Sequence, residues 1–274
     1  MSDHPKNPHA FAEIITKHLK MLALFQYMEA IAPSSQPVLI IGETGVGKEL
    51  FAKAIHTLSA SKGKLVSVNV AGLDDTLFSD TLFGHAKGAF TGANKARKGL
   101  ISLAHHGTLF MDEIGELSSL SQIKLLRLLQ EGEYLPLGYD EPKHTDVRIV
   151  VATNKNLWTL QKAGNFREDL IYRLKTHQIN ILPLRERVCD IPILLQHFVK
   201  KITQTVHKKP PKISNELITR LENYHFPGNI RELQSMIIDA VTRASKSDDL
   251  SPELFQFHLT KQLVQQTPNS HNMF

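Results

Sequence analysis

Five short apolar runs are spaced along the first two thirds of the chain, and residues at helical spacing separate them. The run at 38–41 is apolar at every position, as expected for a parallel strand buried on both faces. Strands that alternate with helices favour a parallel sheet covered by helices. The sequence therefore predicts a three-layer α/β/α domain with strands at 38–41, 65–70, 108–113, 147–152 and 178–182.

Helical periodicity dominates the rest of the chain. Apolar residues at helical spacing predict helices at 11–31, 49–58 and 121–131. The strand pattern stops after Pro183, where only helices at 190–206, 214–224 and 229–244 are predicted. The predicted organisation is a flexible N-terminus (1–10), an α/β subdomain (11–182), a small all-helical subdomain (183–261) and a disordered tail (262–274).

A glycine-rich loop follows the first predicted strand and opens a helix, which is the context of a phosphate-binding loop. Glycines let backbone N–H groups turn toward phosphate oxygens, and the lysine would meet the β- and γ-phosphates. A glycine-rich turn without a ligand is the alternative. The loop is Gly42-Glu43-Thr44-Gly45-Val46-Gly47-Lys48-Glu49.

Two acids end the third predicted strand. Neighbours on a strand point to opposite sides, so Asp112 and Glu113 can take two roles. Asp112 would hold Mg²⁺, directly or through water, and Glu113 would act as general base on an attacking water. The generic loop motif places Ser or Thr after the lysine as a Mg²⁺ ligand, and Glu49 stands there instead. Mg²⁺ is therefore expected to depend more on Asp112.

A third segment is not explained by phosphate chemistry. It is the hexapeptide Gly88-Ala89-Phe90-Thr91-Gly92-Ala93, between the glycine loop and the paired acids. One aromatic residue among small residues suits a loop tip that presents Phe90 to a partner. The alternative is a surface turn with a buried Phe90.

Composition sets broad limits. The chain has 274 residues, a net charge of +5 and a single cysteine, Cys189, which is consistent with a reducing cytoplasm. No apolar run approaches the roughly 20 residues that cross a bilayer, and the N-terminus does not resemble a signal peptide. The pair His105-His106 lacks the spacing of a metal site.

Five motifs in one order carry a family resemblance. They are GETGVGKE, GHAKGAFTGA, GTLFMDEIGEL, FREDLIYRL and PGNIREL. Together they resemble the central AAA+ ATPase domain of bacterial sigma-54-dependent transcriptional activators, over about residues 30–243. The resemblance implies an AAA+ P-loop fold with a helical lid subdomain, ATP and Mg²⁺ as cofactors, and self-association into a ring, expected to be a hexamer. It also implies that residues 88–93 contact sigma-54 bound to RNA polymerase, so that ATP hydrolysis remodels a closed promoter complex.

The same resemblance implies roles for five polar residues. Asn69 would be a switch that bonds Glu113, and Asn154 a sensor that bonds the γ-phosphate or the attacking water. Arg167 and Arg173, on one helix, would reach the nucleotide of a neighbouring subunit, and Arg231 would be a second sensor. The alternatives are a turn cap for Asn69 and surface ion pairs with Glu168 or Asp169 for the first two arginines. For Arg231 the alternative is an ion pair with Glu232 or nearby acids.

The chain differs from the family pattern in two respects, and two alternative functions remain open. The family usually has Gly-His-Glu-Lys before the hexapeptide, and here Ala86 replaces the glutamate. A DNA-binding domain, common after this core in the family, is not expected within the chain. The alternative functions are a non-hydrolysing binding module derived from the same fold, and another AAA+ remodelling ATPase.

Overall fold

A computed structural model describes residues 5–244 and 249–258 of the chain. The predicted tail at 262–274, the first four residues and the end of the predicted helical subdomain at 259–261 lie outside these ranges. Within them, the strands are, in chain order, β1 (Val38–Ile41), β2 (Leu65–Asn69), β3 (Gly84–His85), β4 (Arg97–Lys98), β5 (Thr108–Asp112), β6 (Glu133–Tyr134), β7 (Lys143–His144), β8 (Arg148–Thr153) and β9 (His177–Asn180).

Five of these strands form one parallel sheet in the order β2-β5-β8-β1-β9. The first strand of the chain therefore lies between two strands that come much later. In open parallel sheets, such a reversal of strand order leaves a crevice at the carboxyl ends of the strands. The predicted α/β fold with a parallel sheet is confirmed, and the glycine loop begins at this position.

The helices of the described residues agree with most of the predicted ones within a few residues. They are α1 (Leu19–Ile31), α2 (Lys48–Leu58), α3 (Asp75–Phe83), α4 (Leu100–Leu103), α5 (Ser119–Glu131), α6 (Leu157–Lys162), α7 (Glu168–Leu174), α8 (Ile191–Thr205), α9 (Asn215–Glu222) and α10 (Asn229–Arg243). None of them is long and apolar enough to cross a membrane.

The chain forms two compact units. The first comprises the described residues up to Ile14, Leu22–Glu43 and Lys48–Ile181. Its core is built on the apolar strands and includes Leu109, Met111 and Val151, all fully buried. The second unit comprises Ile15–Met21, Thr44–Gly47 and the described residues from Leu182 onward.

The second unit is helical and has its own core. Leucines and isoleucines of α8 and α10, such as Leu195, Leu233 and Ile237, are fully buried there together with Phe226. Helices with one apolar stripe reach stability by burying that stripe against one another. Two short segments from the first part of the chain, residues 15–21 and 44–47, also belong to this unit.

The long predicted helix at 11–31 is wrong in its first third. The structure has a short 3-10 helix at Pro8–Phe11, and α1 begins only at Leu19. The intervening backbone is held away from a helix by Asp190, whose carboxylate accepts hydrogen bonds from the Thr16 hydroxyl at 2.6 Å and the Lys17 amide at 2.8 Å. Local apolar spacing could not reveal this contact with a residue about 170 positions away.

Candidate functional site

Polar residues collect at the carboxyl edge of the sheet because the strand registers align them. Asn69, the last residue of β2, lies opposite Asp112, the last residue of β5. Met111 lies opposite Val151 of β8, so Asn154, which follows that strand, comes to the same edge. The glycine loop leaves β1 there, since the Gly42 amide donates to the Thr153 carbonyl at 3.2 Å.

Lys48, the first residue of α2, is only 6% exposed. Its Nζ donates to the Gly42 carbonyl at 3.2 Å, so the ammonium group folds back over the loop that opens the helix. A buried lysine at a helix N-terminus combines a point charge with the helix dipole. This combination is suited to binding a phosphate group.

Gly45 must be a glycine for two reasons. Its φ of 80° lies in the left-handed region, and a Cβ there would lie 2.2 Å from the Gly228 carbonyl oxygen. The Gly45 carbonyl accepts a hydrogen bond from the Arg231 amide at 3.3 Å. The first turn of α10 therefore packs directly against this part of the glycine loop, within the second unit.

Two residues that sequence reasoning missed hold the loop. The side-chain amide of Asn229 donates to the Thr44 carbonyl at 3.0 Å and accepts from the Leu184 amide at 2.8 Å. Arg187, 1% exposed, donates to the Val46 carbonyl at 3.3 Å, and burial lowers the pKa of its guanidinium group. The available signal for Asn229 was the Pro-Gly-Asn sequence, because asparagine tolerates the left-handed backbone that it adopts here at φ 52°.

Glu113 does not continue the strand, so the prediction that both acids stand on one strand is wrong. The strand β5 ends at Asp112, and Glu113 has a left-handed backbone with φ 59° and ψ 42°. The Asp112 carboxylate accepts the Glu113 amide at 2.9 Å, which supports this turn. Among the described residues, the buried Oε2 of Glu113 has no hydrogen-bond partner. A buried acceptor without a partner is costly and indicates a site for water or ligand.

The same two carboxylates fit a magnesium ion. Asp112 and Glu113 are both half-buried, and carboxylate oxygens are ligands that Mg²⁺ prefers. Glu49, at the position where the generic motif has a hydroxyl, lies 3.7 Å from Lys53 Nζ one turn along α2 and is largely exposed. The half-buried Asp112 is thus better placed than the exposed Glu49 to hold the metal.

The two asparagines differ in what surrounds them. Asn69 Oδ1 accepts the Ala71 amide at 2.8 Å, so the turn cap that stood as its alternative is present. A bond between Asn69 and Glu113 is not among the hydrogen bonds of the described residues, and the switch role stays a prediction. Asn154 is exposed immediately after β8, and its sensor role also stays a prediction.

Arg167 and Arg173 do not share a helix as predicted. Arg167 is the residue that precedes α7 and makes no capping hydrogen bond with its side chain. Its guanidinium pairs with both Asp169 oxygens at 3.0 and 2.6 Å. Arg173 lies within α7 and donates from Nε to the Leu129 carbonyl at 3.0 Å. The ion pair that stood as the alternative is therefore present for Arg167, and the roles in a neighbouring subunit stay predictions.

The alternative for Arg231, an ion pair with Glu232, finds no support. The Glu232 carboxylate accepts the Tyr224 hydroxyl and the Gly228 amide, both at 2.8 Å. Burial and this hydrogen bond raise the pKa of Tyr224. The Arg231 side chain is exposed at the start of α10.

The hexapeptide forms the tip of a β-hairpin. Strands β3 and β4 pair antiparallel at its base, and the Gly88 amide donates to the Ala93 carbonyl at 2.8 Å. Gly88 and Gly92 have φ of 82° and 98°, and a Cβ on either would meet nothing within 4 Å. These two glycines therefore face open space, whereas Ala93 of the same hexapeptide is buried at 6% exposure.

Phe90 is exposed at this tip rather than buried. Its side chain is 42% exposed, and its ring packs edge-on against the His85 ring with centroids 4.9 Å apart. An exposed aromatic residue on a hairpin tip is available to a partner. The buried-phenylalanine alternative is not what the structure shows.

A buried polar cluster supports the base of the hairpin. Asp80, at 8% exposure, makes a short hydrogen bond to His85 Nδ1 and accepts from Arg97 at 2.7 Å. The other ring nitrogen of His85 faces the Lys95 carbonyl at 2.9 Å. The ring against which Phe90 packs is thus fixed from both sides. Ala86, which replaces the usual glutamate, donates its amide to the Leu137 carbonyl at 2.9 Å.

Comparison with known proteins identifies families and relatives that the chain resembles. Residues 14–180 match the sigma-54 interaction domain family, and residues 185–272 match the AAA+ ATPase lid domain family. The chain is 44% identical over 227 residues to the nitrogen fixation protein VnfA of Azotobacter vinelandii, covering 82% of this chain and 44% of that protein. It is 45% identical over 233 residues to the regulatory protein LuxO of Vibrio cholerae, covering 85% of this chain and 44% of that protein.

Solved structures agree with these relatives. NtrX from Brucella abortus in complex with ATP superposes with a TM-score of 0.83 at 29% identity, covering 94% of this chain and 57% of that one. Its complex with ADP has a TM-score of 0.81 at 31% identity, covering 88% of this chain and 55% of that one. The chain spans about half the length of the relatives that it matches. It belongs to the sigma-54 interaction domain family, whose AAA+ ATPase domain is found in sigma-54-dependent transcriptional activators.

Proposed function

We propose that the chain hydrolyses ATP and uses the hydrolysis to move the hexapeptide tip against sigma-54 bound to RNA polymerase. The observation that carries this proposal is the buried Oε2 of Glu113, which lacks a partner at the carboxyl edge of the sheet among the described residues. An acceptor in this position is suited to orienting a water and taking its proton. A non-hydrolysing binding module would have no use for it.

The residues of the edge divide the reaction between them. Lys48 and the backbone N–H groups of the glycine loop bind the phosphates, and Asn154 senses the γ-phosphate. Glu113 accepts a proton from the attacking water while the water oxygen bonds to the γ-phosphorus. The bond from the γ-phosphorus to the β,γ-bridging oxygen breaks in the same step, and ADP and phosphate leave. Asp112 holds Mg²⁺, which when bound neutralises charge on the phosphate oxygens. Arg231 of α10 contacts phosphate from the helical subdomain.

A neighbouring subunit completes the site. Arg167 and Arg173 reach the nucleotide of the next chain in a ring. We expect this ring to be a hexamer. The Asp169 pair holds the Arg167 guanidinium at the exposed N-terminus of α7 until it is exchanged for a phosphate. A guanidinium delivered in this way stabilises charge on the transferring group.

The hairpin converts hydrolysis into movement. Loss of the γ-phosphate changes the surroundings of Glu113 and of Asn69 at the end of the neighbouring strand. Residue Asp80 at the end of α3 links the chain segment that follows Asn69 to the hairpin base through His85. We propose that the tip, with Phe90 and Thr91, is raised only while the transition state is bound.

The test is binding of sigma-54 in a gel shift with ADP and a metal fluoride, which mimics the transition state. The parent chain should bind, whereas Thr91→Ala and Phe90→Ala should not, and both variants should keep basal ATPase activity. Leu103→Ala is the matched control, since Leu103 is 52% exposed on α4 and outside the hairpin. Equal binding by parent and variants, or binding that ignores the nucleotide, would refute the proposal and leave an ATPase of another kind.

A further inference from the structure

A second cluster of ligand-type side chains lies at the opposite edge of the sheet. His105 and His106 are in the turn before β5, and Asp146 is two residues before β8. Five-residue β5 runs from this edge to Asp112, so the cluster is on the order of 15 Å from the proposed nucleotide. It takes no part in the chemistry described above.

The three side chains converge on one point. His105 Nδ1 lies 3.0 Å from one Asp146 oxygen, and His106 Nδ1 makes a short contact with the other. The three candidate ligand atoms all lie within 4.8 Å of one another. The two imidazole rings lie beside each other with centroids 3.9 Å apart. Two nitrogens and one carboxylate oxygen thus lie close enough together to share one ion.

The backbone holds this arrangement in a conformation that is uncommon for residues other than glycine. His106 has φ 58°, in the left-handed region. Its amide donates to Asp146 at 2.9 Å, and its carbonyl accepts from the Gly63 amide at 2.8 Å and the Ser61 hydroxyl at 2.7 Å. A costly conformation persists only when its surroundings fix it, and such positions concentrate at functional sites.

We propose that His105, His106 and Asp146 bind a divalent first-row transition ion, with zinc as the probe. Two imidazole nitrogens and a carboxylate oxygen are a ligand set used by open zinc sites, which keep a fourth position for water. On binding, the ion would take the Nδ1 atoms that now face the carboxylate, and each neutral ring would carry its proton on Nε2. The sequence spacing concealed the site because the third ligand is 40 residues away from His106.

The surroundings allow an ion to enter. A groove of about 430 Å³ includes His106 and Asp146 in its wall, so the cluster opens to solvent. Two cations, Lys62 and Arg148, also line the groove. Arg148 is 6% exposed, and its guanidinium group donates to the carbonyls of Ile31 and Ala32 at 3.0 and 2.6 Å.

The experiment is calorimetric titration of the tag-free, nucleotide-free chain with zinc chloride. We expect one site of this kind per chain, with an affinity that falls by roughly tenfold or more in each single-ligand variant. The variants are His105→Ala, Asp146→Asn and His106→Asn, the last chosen because asparagine tolerates the left-handed backbone. Cobalt supplies a second reading, since its visible absorption reports nitrogen and oxygen ligation and should be lost in the same variants.

The matched control is His144→Asn. His144 is an exposed histidine that pairs with one carboxylate, Glu133, at 3.1 Å, and belongs to no three-ligand cluster among the described residues. Its removal should leave zinc binding unchanged. Absence of zinc binding by the parent overturns the proposal, and so does equal binding by the parent and by His105→Ala, a variant at a position without backbone strain.

Discussion

The glycine loop and the hexapeptide tip both depend on glycines with left-handed backbones, yet their surroundings are opposite. At Gly45 in the loop, a Cβ would lie 2.2 Å from a backbone oxygen, whereas at Gly88 in the tip it would meet nothing within 4 Å. The loop is bound by Asn229 and Arg187, which are almost fully buried. The tip carries an exposed Phe90.

The difference separates two uses of the same residue. In the loop, glycine permits close packing, so the phosphate-binding amides are fixed before a ligand arrives. In the tip, glycine permits left-handed turns at Gly88 and Gly92, where an added Cβ would meet no neighbour. A closely packed glycine loop and an exposed aromatic residue thus occur in one chain, and Asp80 and His85 hold the base of the hairpin.

The largest expected effect is that of replacing Arg167, which we propose acts at the nucleotide bound by the glycine loop of a neighbouring subunit. Arg167→Ala should lower ATP turnover by roughly 10³–10⁵-fold, because the missing guanidinium no longer stabilises the transferring phosphoryl group of the next subunit. Lys48→Ala should also be inactive, through loss of ATP binding. Mixing the two inactive proteins should restore part of the activity, since some interfaces then pair an intact loop with an intact arginine.

Steady-state ATPase assays over a range of protein concentrations and mixing ratios measure this effect. Arg220→Ala, which removes an exposed arginine of α9 that is paired with Glu216, is the control and should be silent. If specific activity is independent of dilution and no mixture regains activity, Arg167 does not act in a neighbouring subunit.

The second effect concerns Glu113. Glu113→Gln keeps the shape of the side chain but removes the proton acceptor, so turnover should fall by about 10²–10⁴-fold while ATP affinity is retained. Glu116→Gln is the matched control, because Glu116 is an exposed acid three residues away that pairs with Lys155 at 2.8 Å. Turnover and nucleotide affinity are measured for both. Near-normal turnover in Glu113→Gln would show that another group activates the water.

The third and smallest effect addresses the glycines directly. Gly45→Ala and Gly88→Ala each impose a left-handed backbone on alanine, at a cost of about 1–2 kcal/mol. Only Gly45→Ala also forces a Cβ into a backbone oxygen, which should add about 1–3 kcal/mol and weaken ATP binding. Denaturant unfolding and ATP titration of both variants decide the matter. Equal losses of stability would mean that the loop is no more tightly packed than the tip.

The sequence alone predicted the parts of the molecule that local patterns determine. Apolar strands followed by polar residues located the carboxyl edge of the sheet, and the five parallel strands lie within a few residues of their predicted positions. The fold class and the family resemblance are confirmed. These predictions were correct because the apolar pattern of a buried strand and the glycine motif each lie within one short window of sequence.

Long-range contacts account for what the sequence did not predict. The start of α1 depends on Asp190, and the loop is held by Asn229 and Arg187, all distant in sequence. Similarly, the strand alternation predicted for Glu113 failed because a tight turn begins there. The ion pair of Arg167 with Asp169 was predicted only as an alternative. In the single chain Asp169 binds the guanidinium group that we propose for the nucleotide of a neighbouring subunit.

The left-handed backbone of Glu113 has a consequence for protein engineering. A glutamate in this conformation costs on the order of 1–3 kcal/mol, and its buried carboxylate oxygen adds an unmet acceptor. Stability and activity are therefore opposed at this one position. A selection for heat resistance alone would favour glycine here, because glycine relaxes both penalties and removes the proton acceptor. In thermostable variants that arise without selection for turnover, we expect Glu113 to be among the first residues replaced, with loss of activity.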